Sequence, residues 1–319
     1  MDEFSLIRRI VRMSGNQADP RVVLGIGDDA AVLAPHGRVV ATTDAFFDGV
    51  HFDLGMMKPM DAGYRAVAGS MSDLAAMGAS PLALLVALEV PVQAPDPLPL
   101  DVMRGVTQAA KAFGAALVGG NVAATPGPLG LTVTALGEAR GRVLTRSGAR
   151  PGDGLFVTGT LGRASLGLAV LRDHPELVRR YRGLVMAFLR PGPRLDEGMA
   201  LTAREEVHAA IDISDGLLAD LAHMMEASKV GAVIHLDRIP LSREGMRLAR
   251  RVGLDPLDAA LAGGDDYELL VAAKPGFTNP GLSCIGRVTR RRGLVLTRNG
   301  KRIAPPERTG FIHRWRGDG

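Results

Sequence analysis

The N-terminal stretch "MDEFSLIRRIVRM" alternates apolar with basic residues and predicts an amphipathic helix over the first dozen positions. "RVVL" and "RVVATT" predict strands bracketing the turn "GIGDDAAVL", and the second strand runs into Thr42, Thr43 and Asp44. "DAGYRAVAGSMSDLAAMGASP" then predicts a helix, with Asp61 as N-cap, Gly78 past its end and Pro81 beyond. Along it Ala66, Gly69, Ser70, Asp73 and Met77 share a face, so Asp73 stands on a stripe of small residues. "PLALLVALEV" predicts a buried strand, "DVMRGVTQAAKAFG" a helix, and "AALVGG" and "LGLTVTALGEA" two further strands. The order is β-β-α-β-α-β-β.

A turn-rich segment, "RSGARPGDG", marks a boundary near residue 150. Beyond it "LFVTG" restarts strand structure, a glycine-containing helix follows, and "PGPRLDEGMAL" punctuates the middle. "HAAIDISDGLLADLAHMMEAS" runs from strand through loop to helix, with Leu217, Leu218, Leu221, Met224 and Met225 as a core-facing stripe. The pattern predicts a mixed α/β (α+β) chain of two domains, 1–149 and 150–319, as its 319 residues also favour.

Composition narrows the class. Hydrophobic residues make up 46% and charged residues 23%, the balance of an ordinary soluble globular protein. A net charge of +4 is small for this length. Its basic excess gathers in "GRVTRRRGLVLTRNGKR", where Asn299-Gly300 signals a hairpin and no aromatics interleave, so no nucleic-acid partner is expected. The single cysteine, Cys284, excludes an intramolecular disulfide and a multi-cysteine zinc site and fits a reducing, cytoplasmic setting. No apolar run is long enough to predict a membrane helix, and the N-terminus does not match a signal peptide.

Carboxylates recur at the ends of the predicted elements: Asp28 with Asp29, Asp44, Asp212 with Asp215, and Asp265 with Asp266, while Asp73 lies inside a helix. Each has a plain structural reading, as a turn residue, a solvated helical charge, or a helix cap in the case of Asp212 or Ser214. Taken together, hard oxygen ligands without a Cys or His cluster suit magnesium, and magnesium points to phosphate. No P-loop, Rossmann spacing or nucleophile elbow is present, and phosphoryl transfer needs no side-chain nucleophile.

The succession "GIGDDAAVL", "TTDAFFDGVHFD", "GSMSDLAAMGASP", "GGN", "RSGARPGD", "DISDGLLADL", "GGDDYELL" and "TGFIHRW" resembles the thiamine-monophosphate kinases, over residues 4 to 315. These share a superfamily with aminoimidazole ribonucleotide synthetase, selenophosphate synthetase and a hydrogenase-maturation ATPase. The resemblance implies a two-domain aminoimidazole ribonucleotide synthetase-like fold, with an N-terminal domain for ATP, magnesium and dimerisation and a C-terminal α/β domain completing the site. It implies ATP-dependent conversion of thiamine monophosphate to thiamine diphosphate by a homodimer. Magnesium ligands would fall on Asp28, Thr42, Thr43, Asp44, Asp73, Asp212 and Asp215, with Asp29 less defined. ATP contacts would fall on Gly120, Asn121, Arg146 and Ser214, and thiamine monophosphate would meet His51, Asp265 and Phe311, or Trp315 in place of Phe311.

One position departs from the pattern. The family carries an aspartate after the glycine pair, where this chain has Asn121; an amide oxygen can still ligate magnesium, with one negative charge fewer. Selenophosphate synthetase and the hydrogenase-maturation protein are disfavoured as alternatives, since each needs a reactive cysteine where this chain has none. Asn121 keeps a catalytically weakened nucleotide- or thiamine-phosphate-binding paralogue as the competing expectation.

Overall fold

The computed structural model describes residues 3–14, 19–307 and 309–311; Trp315 lies outside them. The chain divides into two compact units, Met1–Val143 with Leu195–Ala203, and Leu144–Arg194 with Arg204–Gly319.

The first unit runs α1 (Glu3–Ser14), β1 (Val22–Leu24), β2 (Val32–Leu33), β3 (Arg38–Phe47), α2 (Pro59–Met77), β4 (Ser80–Pro91), α3 (Pro97–Phe113), β5 (Ala116–Thr125) and β6 (Gly130–Ala139). β3, β6, β4 and β5 form one sheet in that order, antiparallel except for the β4–β5 pair. Apolar residues on one side of the strands, among them Val40, Leu84, Val86, Leu131 and Val133, are buried with Val67, Met71 and Leu74 of α2. The opposite face carries the alternate residues, with Val39 53% and Leu85 36% exposed. Gly63 and Gly105 let α2 and α3 meet backbone to backbone, because a Cβ at Gly105 would stand 1.8 Å from the Met60 carbonyl oxygen. The short β1–β2 pair is anchored from Arg21, which donates to Glu138 at 3.0 Å and to the Pro81 carbonyl at 3.1 Å.

Several boundaries differ from the expectations. The strands bracketing the Gly-Asp-Asp turn are β1 and the two-residue β2, whereas "RVVATT" pairs with β6 and continues to Phe47, so Asp44 is mid-strand, opposite Val133. Asp61 is not the N-cap of α2: Pro59, which has no N–H to satisfy and a φ suited to a first turn, starts the helix after Lys58. Gly78 does end it, at φ 68. β5 extends five residues past "AALVGG", which places Asn121 inside the same edge strand as Gly120. "PGPRLDEGMAL" contains a helix, α6, defined below.

The second unit runs β7 (Gly154–Thr158), α4 (Arg163–Asp173), α5 (Arg182–Leu189), then, past α6 (Leu195–Thr202), β8 (Val207–Ile213), α7 (Leu217–Ser228), β9 (Gly231–His235), α8 (Arg243–Val252), α9 (Pro256–Ala262), β10 (Glu268–Ala273), β11 (Leu282–Thr289), β12 (Gly293–Arg298) and β13 (Lys301–Ile303). α6 belongs to the first unit: its Gly198 packs on α2 so closely that a Cβ would stand 1.9 Å from the Ala75 carbonyl oxygen. Seven strands form one sheet in the order β13-β12-β9-β11-β7-β10-β8, with only β9–β12 parallel. The leucine stripe of α7 is buried against it, with Leu217, Leu221 and Met224 among Ile211, Ile213 and Leu270. Asn299 and Gly300 both take positive φ, 50 and 74, and close the β12–β13 hairpin as the sequence indicates. Among the described residues no helix is long and apolar enough to cross a membrane.

Candidate active site

In the first unit, alternation along β3 turns Thr42 and Asp44 toward α2, and the helical spacing of Ser70 and Asp73 turns both toward β3. Ser70 Oγ donates to Asp44 Oδ2 at 2.8 Å, and Thr42 Oγ1 donates to Asp73 Oδ2 at 2.5 Å. Two carboxylates and two hydroxyls thus form one oxygen-lined cluster between a strand and a helix. Burial, and then the Asp73 charge, hold the Asp44 carboxyl above the ordinary carboxylate range, against the opposing pull of the Ser70 hydrogen bond.

Ser70, which the sequence places on the small-residue face with Asp73 but marks with no site role, is a member of this cluster. Thr43 points the other way and hydrogen-bonds Thr134 at 3.0 Å. Thr134 lines a cleft of about 1040 Å³ on the open sheet face with Asp28, Asp29, Gly120 and Asn121. Of the metal ligands expected in the first unit, Thr42, Asp44 and Asp73 therefore lie on one face of its sheet and Asp28, Thr43 and Asn121 on the other. Asp28 accepts the Asp29 N–H at 2.8 Å, a turn contact. His51 accepts the Phe47 N–H on Nδ1 at 3.0 Å, which puts the ring proton on Nε2.

In the second unit, Asp212 is the last residue but one of β8 and pairs in register with Leu269, and Ser214, Asp215 and Gly216 turn the chain into α7. Neither Asp212 nor Ser214 caps that helix. Asp220, in its first turn, instead reaches back to the turn and accepts the amides of Ser214, Asp215 and Gly216. Burial, followed by the charges of Asp212 and Asp215, pushes Asp220 up to about 8, against the hydrogen bonds of the amides.

The "GGDDYE" loop lies against the same turn. Asp265 N–H donates to Ser214 O at 2.7 Å, Tyr267 N–H to Ile213 O at 2.8 Å, and Phe311 N–H to Asp215 O at 3.0 Å. Asp265 and Tyr267 both take positive φ, 68 and 50, a strain that these bonds and the Tyr267 hydroxyl, 3.1 Å from Asp265 Oδ1, hold in place. Asp266 turns away to accept the amides of Gly162 and Ala164 at the start of α4; burial pushes it up to about 7. Arg146 is exposed on a loop whose neighbour Thr145 accepts the Ala210 N–H of β8 at 3.0 Å.

Among the described residues no three acidic, histidine or cysteine side chains converge to hold a metal. The Asp44–Asp73 cluster nevertheless fits magnesium, which takes oxygen ligands and commonly only one or two protein carboxylates, completing its shell with water and phosphate.

Comparison with known proteins bears on this arrangement. The family described as AIR synthase related protein, N-terminal domain, matches residues 27–139, and AIR synthase related protein, C-terminal domain, matches residues 150–298. A thiamine-monophosphate kinase of Rhodopirellula baltica is 36% identical over 92% of this chain and 92% of its own. The crystal structure of thiamine-monophosphate kinase from Stenotrophomonas maltophilia is 37% identical, covers 94% of this chain and 98% of that one, and superposes with a TM-score of 0.81. AaThiL complexed with AMPPCP and TMP is 30% identical over 95% of each chain, with a TM-score of 0.77. With both domains matched and such likeness along nearly its whole length, the chain belongs to the thiamine-monophosphate kinase family of AIR synthase related proteins.

Proposed function

We propose that this protein is a kinase that transfers the γ-phosphoryl group of ATP to the phosphate of thiamine monophosphate, giving thiamine diphosphate and ADP. The observation that carries the reading is the oxygen-only cluster of Asp44, Asp73, Thr42 and Ser70, set in a fold whose solved relative holds AMPPCP and TMP. An oxygen of the acceptor phosphate forms the new bond to the γ-phosphorus, and the bond from that phosphorus to the ADP oxygen breaks.

Magnesium, when bound, would neutralise phosphate oxygens as charge develops on them. Its ligands are assigned to Asp44 and Asp73, with Thr42, and to Asp28, Thr43, Asn121, Asp212 and Asp215. Gly120, Asn121, Arg146 and Ser214 are assigned to the nucleotide, Arg146 through a guanidinium suited to phosphate oxygens. His51, Asp265 and Phe311 are assigned to the acceptor: the acid complements a cationic thiazolium, and the 39% exposed Phe311 can stack on a heterocycle. Purified protein with magnesium and ATP should phosphorylate thiamine monophosphate and leave free thiamine unchanged. Preference for free thiamine in a coupled assay would sink the assignment.

The reading includes a homodimer. The face of the first unit's sheet turned away from α2, partly covered by β1 and β2 but with Val39 and Leu85 uncovered, supports association through that face. Light scattering should give twice the mass of one chain at micromolar concentration; a monomer mass there would count against it.

A further inference from the structure

Three consecutive backbone N–H groups, those of Ser214, Asp215 and Gly216, converge on one oxygen, Asp220 Oδ2, at 3.1, 3.2 and 3.1 Å. Successive amides aimed at a common point form a nest, a concavity that elsewhere receives phosphate or another anion from solution. In this chain the occupant is internal, a side-chain carboxyl oxygen, and its residue is only 3% exposed. The same stretch of backbone is engaged from its other edge. Its carbonyls at Ile213, Ser214 and Asp215 accept the amides of Tyr267, Asp265 and Phe311 at 2.8, 2.7 and 3.0 Å. Gly216, at φ 124, lies so close to Ala262 that a Cβ there would stand 3.1 Å from its carbonyl carbon, which leaves the turn little room to adjust.

We infer that Asp220 is a positioning residue: by filling the 214–216 nest it fixes the one turn that carries Asp215, continues the strand of Asp212, and suspends Asp265 and Phe311. What those two sets of residues serve, metal and acceptor, rests on the function proposed above; the filling of the nest does not. Two consequences follow from the geometry. The nest is closed to the nucleotide phosphates, whose charge must be met elsewhere. A change at Asp220 also reaches metal-facing and acceptor-facing residues together, whereas a change at Asp265 reaches only the second set.

Asp220→Leu stays close to the size of the side chain but removes the oxygen that holds three amides. It should raise the KM for magnesium-ATP and for thiamine monophosphate together, each by about tenfold or more, with a fall in kcat, as loss of a supporting contact behind ligand residues typically does. Asp265→Ala should raise only the KM for thiamine monophosphate. Unchanged KM values in Asp220→Leu, or a rise confined to one substrate, would overturn the inference. Hydrogen exchange on the unaltered chain, without metal or nucleotide, decides the matter if that variant does not fold. The 214–216 amides should exchange at least about tenfold slower than an open peptide, and exchange at the open-peptide rate overturns the inference. A wild-type chain that makes no thiamine diphosphate would end the proposed function, and the exchange result would still decide whether Asp220 closes the nest.

Discussion

Asp44→Asn and Asp73→Asn should each lower kcat by about a thousandfold or more while the protein stays folded, because each removes a carboxylate that would face the cation neutralising the transferring phosphoryl oxygens. The structure makes the stability half of this expectation definite. Asp44 and Asp73 are like charges sharing a partly buried cluster, and burial and that charge hold the Asp44 proton more tightly in the folded chain than in the unfolded one. A raised folded pKa contributes stability that is full below the ordinary carboxylate range and is lost as pH rises through the folded value. The Asp44 contribution to metal-free stability should therefore shrink as pH rises from about 4 toward neutrality, so Asp44→Asn should gain melting temperature relative to wild type over that range and melt at or above it at pH 7. Thermal melts without metal, paired with initial rates at saturating magnesium, check both halves. Collapse of the apo fold in both variants would assign the pair a structural role instead.

Asn121→Leu should raise the magnesium concentration needed for half-maximal rate by about tenfold or more, and Asn121→Asp should lower it while keeping activity. Asn121 sits on edge strand β5 opposite Ala87, exposed, and lines the open-face cleft that also holds Asp28. An exposed edge position tolerates leucine, so a change in metal dependence would report the lost oxygen and not a damaged sheet. The competing view, that Asn121 serves only the local backbone, predicts the same magnesium curve for all three proteins. A Leu variant with wild-type metal dependence would rule out the ligand role and shift weight to the weakened-paralogue reading. A magnesium titration of initial rate decides between them.

Much of the local architecture was legible in the chain. The small-residue face of α2, the leucine stripe of α7 and the Asn299-Gly300 hairpin each depend on residues a few positions apart, where period, turn chemistry and side-chain size act directly. Element ends were less legible, because they depend on what pairs or packs alongside. β3 runs through Asp44 because β6 pairs with it as far as Phe47, and β5 runs through Asn121 because β4 continues beside it. α6 joins the first unit because Gly198 admits the backbone of α2, a contact across more than a hundred residues of chain.

For the site, the sequence by itself determined the inventory: carboxylates, small residues, a glycine pair and the motif order that marks the family. Only the tertiary structure decided which of them meet. It joined Asp44 to Ser70 and Asp73 across a strand and a helix, and turned Thr43 to the opposite face of the sheet, beside the cleft that holds Asp28 and Asn121. It also turned Asp220 back onto the amides of Ser214, Asp215 and Gly216. The physical reason is that side-chain direction follows from strand pleat and helix rotation, while convergence follows from long-range packing, and hydrogen bonds at 3 Å need both to be fixed at once.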